Sequence, residues 1–352
     1  MDYKQVFEEL VEVLIAQGGS DLHLGATRLP SIRVNGELQV LSTRPPLTQN
    51  DMHGFLKILL NKDHYEHFIS FQEIDFSYES SKRARLRGNA FVQQGKITLV
   101  LRHLPEVKTF EQLGLPLILK DFARKKQGFF LCVGPVGQGK SSTLASMINL
   151  INEERPAHIL TIEDPVEYVY DQKRSIIDQR EVGIDTSDFQ VALKSALRQD
   201  VNVILIGEMR NPETIAIAVT AAETGHLVFS TLHTNTASQT IDRIIDSFPA
   251  GQQEQIRIQL ASSLLGIFSQ RLIPRITGGR IPAYELLINN NAIANLIREK
   301  RTHEIDTVIE TSLEQGMIDM NRSLITLIQK GDITIEDAFL YSPNPKNLER
   351  ML

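Results

Sequence analysis

Apolar residues over the first 16 positions recur at helical spacing, with Val6, Leu10, Val13 and Leu14 on one face of a helix predicted over residues 3–16. Gly18-Gly19 ends it. The pattern then shortens to LHLG, SIRVNGEL, DFSYES, RARLRGNAFVQQ and ITLVLRHL, whose alternation predicts half-buried antiparallel strands; Asn35-Gly36 carries the turn chemistry of a hairpin. Residues 1–103 thus read as a small α+β domain. Residues 104–116, which hold Pro105, Pro116 and a GLP turn, read as a linker, and residues 117–352 as a second domain that ends in a helical segment. No repeat with a period of 20–50 residues is visible.

Beyond the linker, short and fully apolar runs alternate with helical segments, as in a parallel sheet covered on both faces. The predicted strands are FFLCV (129–133), HILTI (158–162), VNVILI (201–206) and HLVFSTL (226–232). Each is followed at once by polar residues with chemical capability: GPVGQGKSS, EDPVE, GEMR and HTN. Ligands of such sheets bind outside the carboxyl ends of the strands, so the four clusters are expected to converge.

The first cluster matches G-x-x-x-x-G-K-[ST] without a gap, through Gly134, Pro135, Val136, Gly137, Gln138, Gly139, Lys140 and Ser141, with Ser142 following. Its backbone N–H groups suit phosphates, Lys140 reaches the terminal ones, and the Ser141 hydroxyl suits magnesium. A guanine-specific Asn-Lys-x-Asp motif is absent. Glu208, directly after VNVILIG, stands where phosphoryl-transfer enzymes carry a magnesium-shell or water-polarising acid; its bland alternative is a solvated strand end. Glu163, Asp164 and Glu167 form a second acidic group, so a glutamate base is open to either cluster. His226 and His233 fall on opposite faces of a continuous strand, which argues against a shared metal. His233, at the carboxyl end beside Thr234 and Asn235, is placed to sense a terminal phosphate, while His226 reads equally as structural. Arg83, Arg85 and Arg87 form a basic strand patch, in which Arg85 and Arg87 share a face.

Composition narrows the class. Hydrophobic residues make up 42% and charged residues 23% of 352, the mix of a globular protein of about two domains, by a soft prior of about 100–200 residues each. A net charge of -6 supplies no bulk attraction to nucleic acid or anionic lipid. The single cysteine, Cys132, lies inside an apolar strand and can build neither an internal disulfide nor a tetracysteine zinc site. No uncharged apolar run reaches 18 residues, and the start is a charged amphipathic pattern, so a cytoplasmic location is expected.

These residues resemble the type IV pilus retraction ATPases of the type II/IV secretion motor superfamily, over nearly the whole chain. The resemblance is carried by GGSDLHL, the phosphate loop, LTIEDPVEYV, LRQDVNVILIGEMRNPET, TGHLVFSTLHTNTASQTIDRIIDSFP, SQRLIPR, AIANLIRE and SLEQGM. It implies an N-terminal PAS-like domain, a RecA-like ATPase core, ATP and Mg2+, and a homohexamer in which neighbouring arginines complete each site. It further implies Glu163 as the water-activating glutamate, Glu208 as the acid of the magnesium shell, and His226 with His233 as a paired histidine box. Arg85, Arg87 and Arg102 are the matching N-terminal arginines. Implied partners are an inner-membrane pilus platform protein and a second retraction ATPase, with no nucleic acid, and a cytoplasmic protein peripheral to the inner membrane. A PilU-like accessory or regulatory ATPase is the alternative, and a DNA motor is disfavoured by the charge. Two departures stand out: Gln138 replaces the family's Ser or Thr, expected to change little, and Ala294 replaces an arginine of AIRNLIRE. That second change is expected to remove a charged contact with a partner or neighbouring subunit, and so to weaken retraction rather than folding.

Overall fold

A computed structural model of the chain describes residues 2–34, 36–81 and 84–352. It divides into two bodies, Met1–Glu106 and Val107–Leu352. In the first, Asp2 caps a helix over Tyr3–Ala16, its carboxylate accepting from the Lys4 and Gln5 amides at 3.1 Å. The helix has the expected bounds, but its buried stripe is Phe7, Leu10, Val11 and Leu14; Val6 and Val13 only flank it. The stripe follows i, i+3, i+4, i+7 with Phe7, the bulkiest of these side chains, at its start.

Six strands follow in this body: β1 (Asp21–Gly25), β2 (Ser31–Val34), β3 (Glu37–Val40), β4 (Glu73–Glu79), β5 (Arg85–Gln93) and β6 (Lys96–His103). They form one antiparallel sheet in the order β3-β2-β1-β6-β5-β4. Val34 pairs with Glu37 across the expected hairpin, although Asn35 itself lies outside the described residues, as does Arg83. Helices Gln49–Leu59 and Lys62–Phe71 contribute Phe55, Leu56 and Phe68 to the core on which Leu22, Leu24, Leu86, Leu99 and Leu101 close. Period-2 alternation leaves Arg85 and Arg87 on the other face of β5 from buried Leu86 and Gly88.

The second body holds β7 (Gly128–Val133), β8 (His158–Glu163), β9 (Ile176–Glu181), β10 (Val203–Ile206), β11 (Leu227–Leu232), β12 (Leu264–Pro274) and β13 (Arg280–Ile288). Their order is β13-β12-β7-β11-β10-β8-β9, all neighbours parallel except the antiparallel pair β12–β13. Both faces of β7 are covered: Phe129, Leu131 and Val133 join one apolar cluster, Phe130 and Cys132 another. The buried Cys132 thiol is pushed up to about 12, out of reach of ordinary thiolate chemistry. The stretch expected as a linker belongs in its latter part to this body, because the short helix Phe110–Leu113 buries Phe110 in the same core as Phe130.

The C-terminal helices Asn291–Arg298, Ile305–Thr311, Met320–Gln329, Ile335–Tyr341 and Pro345–Met351 complete the body. Here one expectation is corrected. Ala294 is buried with Ile293, Leu296 and Ile297 in the core of the sheet, so it does not offer a free surface. The band Arg298 to Arg301 is exposed, and its charges pair locally, Arg301 with Glu299 and Glu304, and across to another helix, Lys300 with Glu254. Among the described residues no helix is long and apolar enough to cross a membrane.

Candidate nucleotide site

Gly134 to Gly139 leave the carboxyl end of β7 and turn into the helix Lys140–Glu154. Gly134 adopts φ 140, and a Cβ there would lie 2.4 Å from the Gln270 carbonyl oxygen, so glycine is required on two counts. The loop is thereby pressed against β12 and leads directly into a helix N-terminus, an arrangement that suits anions. Lys140 is mostly buried, and its Nζ donates to the carbonyls of Gly134 and Pro135, each at 2.8 Å, with His233 Nδ1 at 3.4 Å. Burial holds its ammonium below the ordinary lysine range, with Glu167 and Glu208 pulling the other way. Val136 is 80% exposed at the loop tip, open to whatever approaches.

A cavity of about 440 Å³ is lined by the loop from Val136 to Ser142 and by Glu163, Asp164, Glu167, Glu208 and His233. The four expected clusters therefore meet, since β7, β8, β10 and β11 are adjacent and parallel. Glu163, the last residue of β8, is buried, and burial pushes its carboxyl up to about 7, with the charge of Glu167 adding to the rise. Among the described residues its Oε1 has no hydrogen-bond partner, whereas Oε2 accepts from the Glu167 amide at 3.4 Å. A buried oxygen without a partner, on a carboxyl poised near neutrality, is suited to hold and activate a water. Glu208 forms an ion pair with Arg210 and lies 3.6 Å from His233 Nε2. His233 thus bridges Lys140 and Glu208.

The structure does not bring His226 to this cluster. It precedes the amino end of β11, its Nδ1 3.0 Å from the Ala221 carbonyl, while its own carbonyl accepts from the Gly128 amide at 3.0 Å. Seven residues of extended chain span roughly 23 Å, which separates it from His233. Arg85, Arg87 and Arg102 belong to the first body. There Arg85 pairs with Glu79 at 3.1 Å and Arg102 with Asp21 at 2.9 Å.

Several cavity residues escaped the sequence reading. Tyr168 shares a 2.6 Å hydrogen bond with Ser142, tying the loop after β8 to the phosphate-loop helix. Tyr170, Thr231, Leu272 and Arg280 line the same cavity. Gln138, expected to matter little, accepts from the Leu272 amide at 2.6 Å. Gln138 lies inside the phosphate-loop motif, but its contact with Leu272 and the placement of the other residues carry no local sequence signal, because each depends on a neighbour distant along the chain.

Residues 3–339 match the family of type II/IV secretion system proteins. The chain is 44% identical to the type IV pilus retraction ATPase PilT of Pseudomonas aeruginosa, covering 96% of this chain and 98% of the relative. It is 39% identical to the type IV pilus ATPase PilU of the same organism, covering 98% and 91%. The crystal structure of the pilus retraction motor PilT with bound ADP superposes with a TM-score of 0.90 at 47% identity, covering 98% and 99%.

Proposed function

The chain belongs to the family of type II/IV secretion system proteins, and on that premise we infer that it is an ATP-hydrolysing motor powering type IV pilus retraction. One observation carries the chemistry: the glycine loop, Lys140, Glu163, Glu208 and His233 surround a single cavity. The mechanical half comes from the relatives, among which the retraction ATPase is nearer than PilU, at 44% against 39% identity over comparable spans. A PilU-like accessory ATPase is the alternative.

The site suits a nucleotide. The glycine cradle and helix start suit phosphates, and the Ser141 hydroxyl and Glu208 carboxylate are the hard oxygen donors that Mg2+ accepts together with phosphate oxygens. Bound there, Mg2+ would neutralise charge on the β- and γ-phosphates. Lys140 exchanges its loop carbonyls for the terminal phosphates. Glu163 orients the attacking water and takes its proton, a task matched to a carboxyl near 7. His233, between Lys140 and Glu208, reads the presence of the terminal phosphate. We assign His226 to fastening the turn before β11 rather than to phosphate contact.

The first body is taken as PAS-like and the second as a RecA-like core. Six copies form a ring in which Arg85, Arg87 and Arg102 reach a neighbouring site. The ring works at the cytoplasmic face of the inner membrane on a pilus platform protein, alone or beside a second retraction ATPase.

Lys140→Ala tests the chemistry: hydrolysis is expected to vanish while circular dichroism stays native, and wild-type turnover in that variant would sink the assignment. Cells lacking the protein are expected to carry excess, non-retracting pili; normal retraction there would overturn the mechanical half.

A further inference from the structure

We propose that Gln270 is the positioning residue of the phosphate loop and that Gln138 supplies its second tie, an inference that rests on the reading of this loop as the ATP site. Gln270 is 2% exposed, on β12. Its Nε2 donates to the Gln138 carbonyl at 2.8 Å, and its Oε1 accepts from the Thr143 hydroxyl at 2.6 Å. One side-chain amide thus spans the loop and the first turn of the helix that follows it. A side chain of this reach with both a donor and an acceptor is specific to glutamine. The Gln270 backbone oxygen meets the loop at Gly134, and its Nε2 would lie 2.9 Å from a Cβ at Gly139.

The second tie arises where strand pairing stops. β12 pairs with β7 only as far as Ser269 opposite Val133, so residues 270–272 run on past the end of β7. There the Gln138 side chain takes the place of a strand and accepts from the Leu272 amide at 2.6 Å. A serine or threonine at 138 lacks the length for that contact. The preceding residue, Ser269, donates to the Asn235 carbonyl at 2.7 Å, two positions from His233. Ser269, Gln270 and Leu272 therefore hold the phosphate loop and the His233 turn in one register.

The test measures affinity for a fluorescent ATP analogue, ATP turnover and thermal stability in full-length Gln138→Leu, Thr143→Val, Gln270→Leu and the double variant Thr143→Val with Gln270→Leu. Loss of one such bond should weaken nucleotide binding about 3- to 10-fold, and Gln270→Leu, which loses two, roughly 10-fold or more. In the double variant, Thr143→Val should add almost nothing to Gln270→Leu, because both remove the same bond. A purely structural role would lower the melting temperature and leave the affinity of folded protein unchanged. Affinity within about twofold of wild type in Gln138→Leu and in Gln270→Leu, or additive effects in the double variant, overturns the proposal. Should Gln270→Leu fail to fold, Gln138→Leu at the half-exposed loop decides it by the same affinity criterion. Lys140→Ala separates the two failures: retained hydrolysis there removes the ATP site itself, whereas lost hydrolysis with normal affinity in the glutamine variants removes only the positioning role.

Discussion

Burial of the Glu163 carboxyl sets the pH range in which it can act as a base. Its pKa stands near 7 instead of 4.5 because ionisation must occur out of water at the end of β8. The base works only when ionised, so turnover is expected to rise as pH climbs through about 7 and then to level. Glu163→Gln should lose that limb and at least about 10²-fold in turnover while still binding nucleotide. A pH–rate profile of both proteins checks this; an unchanged limb in the variant would place the base elsewhere. Stability moves the opposite way. A carboxyl whose folded value is raised favours the folded state less and less as pH rises from about 4.5 to about 7, and the cost persists above that. The melting temperature of Glu163→Gln relative to wild type should therefore increase between pH 5 and pH 8. Glu285, also pushed up to about 7 by burial, titrates in both proteins and cancels from the difference.

At the scale of elements, what could be read along the chain was whatever is enforced locally. β7, β8, β10 and β11 announced themselves as apolar runs because both their faces are buried, and the phosphate loop did so because its glycines, lysine and serine are neighbours in sequence. β9 stayed hidden, since IIDQRE is an edge strand defined only by its pairing with β8. Gln270 was equally silent, 132 positions from the carbonyl it holds. Ala294 shows the limit of reading a position by its motif: the departure from arginine was seen, but the burial of the alanine was not. In the helix Asn291–Arg298 it shares the buried face with Ile293, Leu296 and Ile297. Ala294→Arg is thus expected to overfill this face and to cost about 1–3 kcal/mol, with no gain in retraction. Thermal or urea unfolding checks the first part; a variant as stable as wild type would show that the long side chain escapes to solvent along its aliphatic stem.

For the whole molecule, the open question is what the arginines of the first body do. Cross-strand register aligns Ser77, Arg87, Arg102, Asp21 and Arg33 in one row over β4, β5, β6, β1 and β2. Asp21, 5% exposed, answers Arg102 at 2.9 Å and Arg33 at 4.0 Å, so the row carries three guanidinium groups and one carboxylate, which pairs with two of them. Among the described residues the Arg87 side chain has no ion-pair or hydrogen-bond partner. A half-buried guanidinium in a row of excess positive charge is suited to an anion from outside the row, and guanidinium groups bind phosphate bidentately. If that anion is the nucleotide of a neighbouring subunit, hydrolysis requires assembly. Specific activity should then rise with protein concentration as rings form. Arg87→Ala should lower turnover by roughly 10-fold or more, on the scale of losing one charge-assisted contact in the transition state. It should leave the oligomer mass unchanged by light scattering, because an arginine without partners among the described residues supports little of the first body's fold. Arg85→Ala, which also breaks the Glu79 pair on an exposed face, should differ from it by a loss of stability of no more than about 1 kcal/mol. A dilute monomer with full activity, or an Arg87→Ala protein that turns over normally at every concentration, would confine the arginine row to the first body and leave each active site complete within one chain.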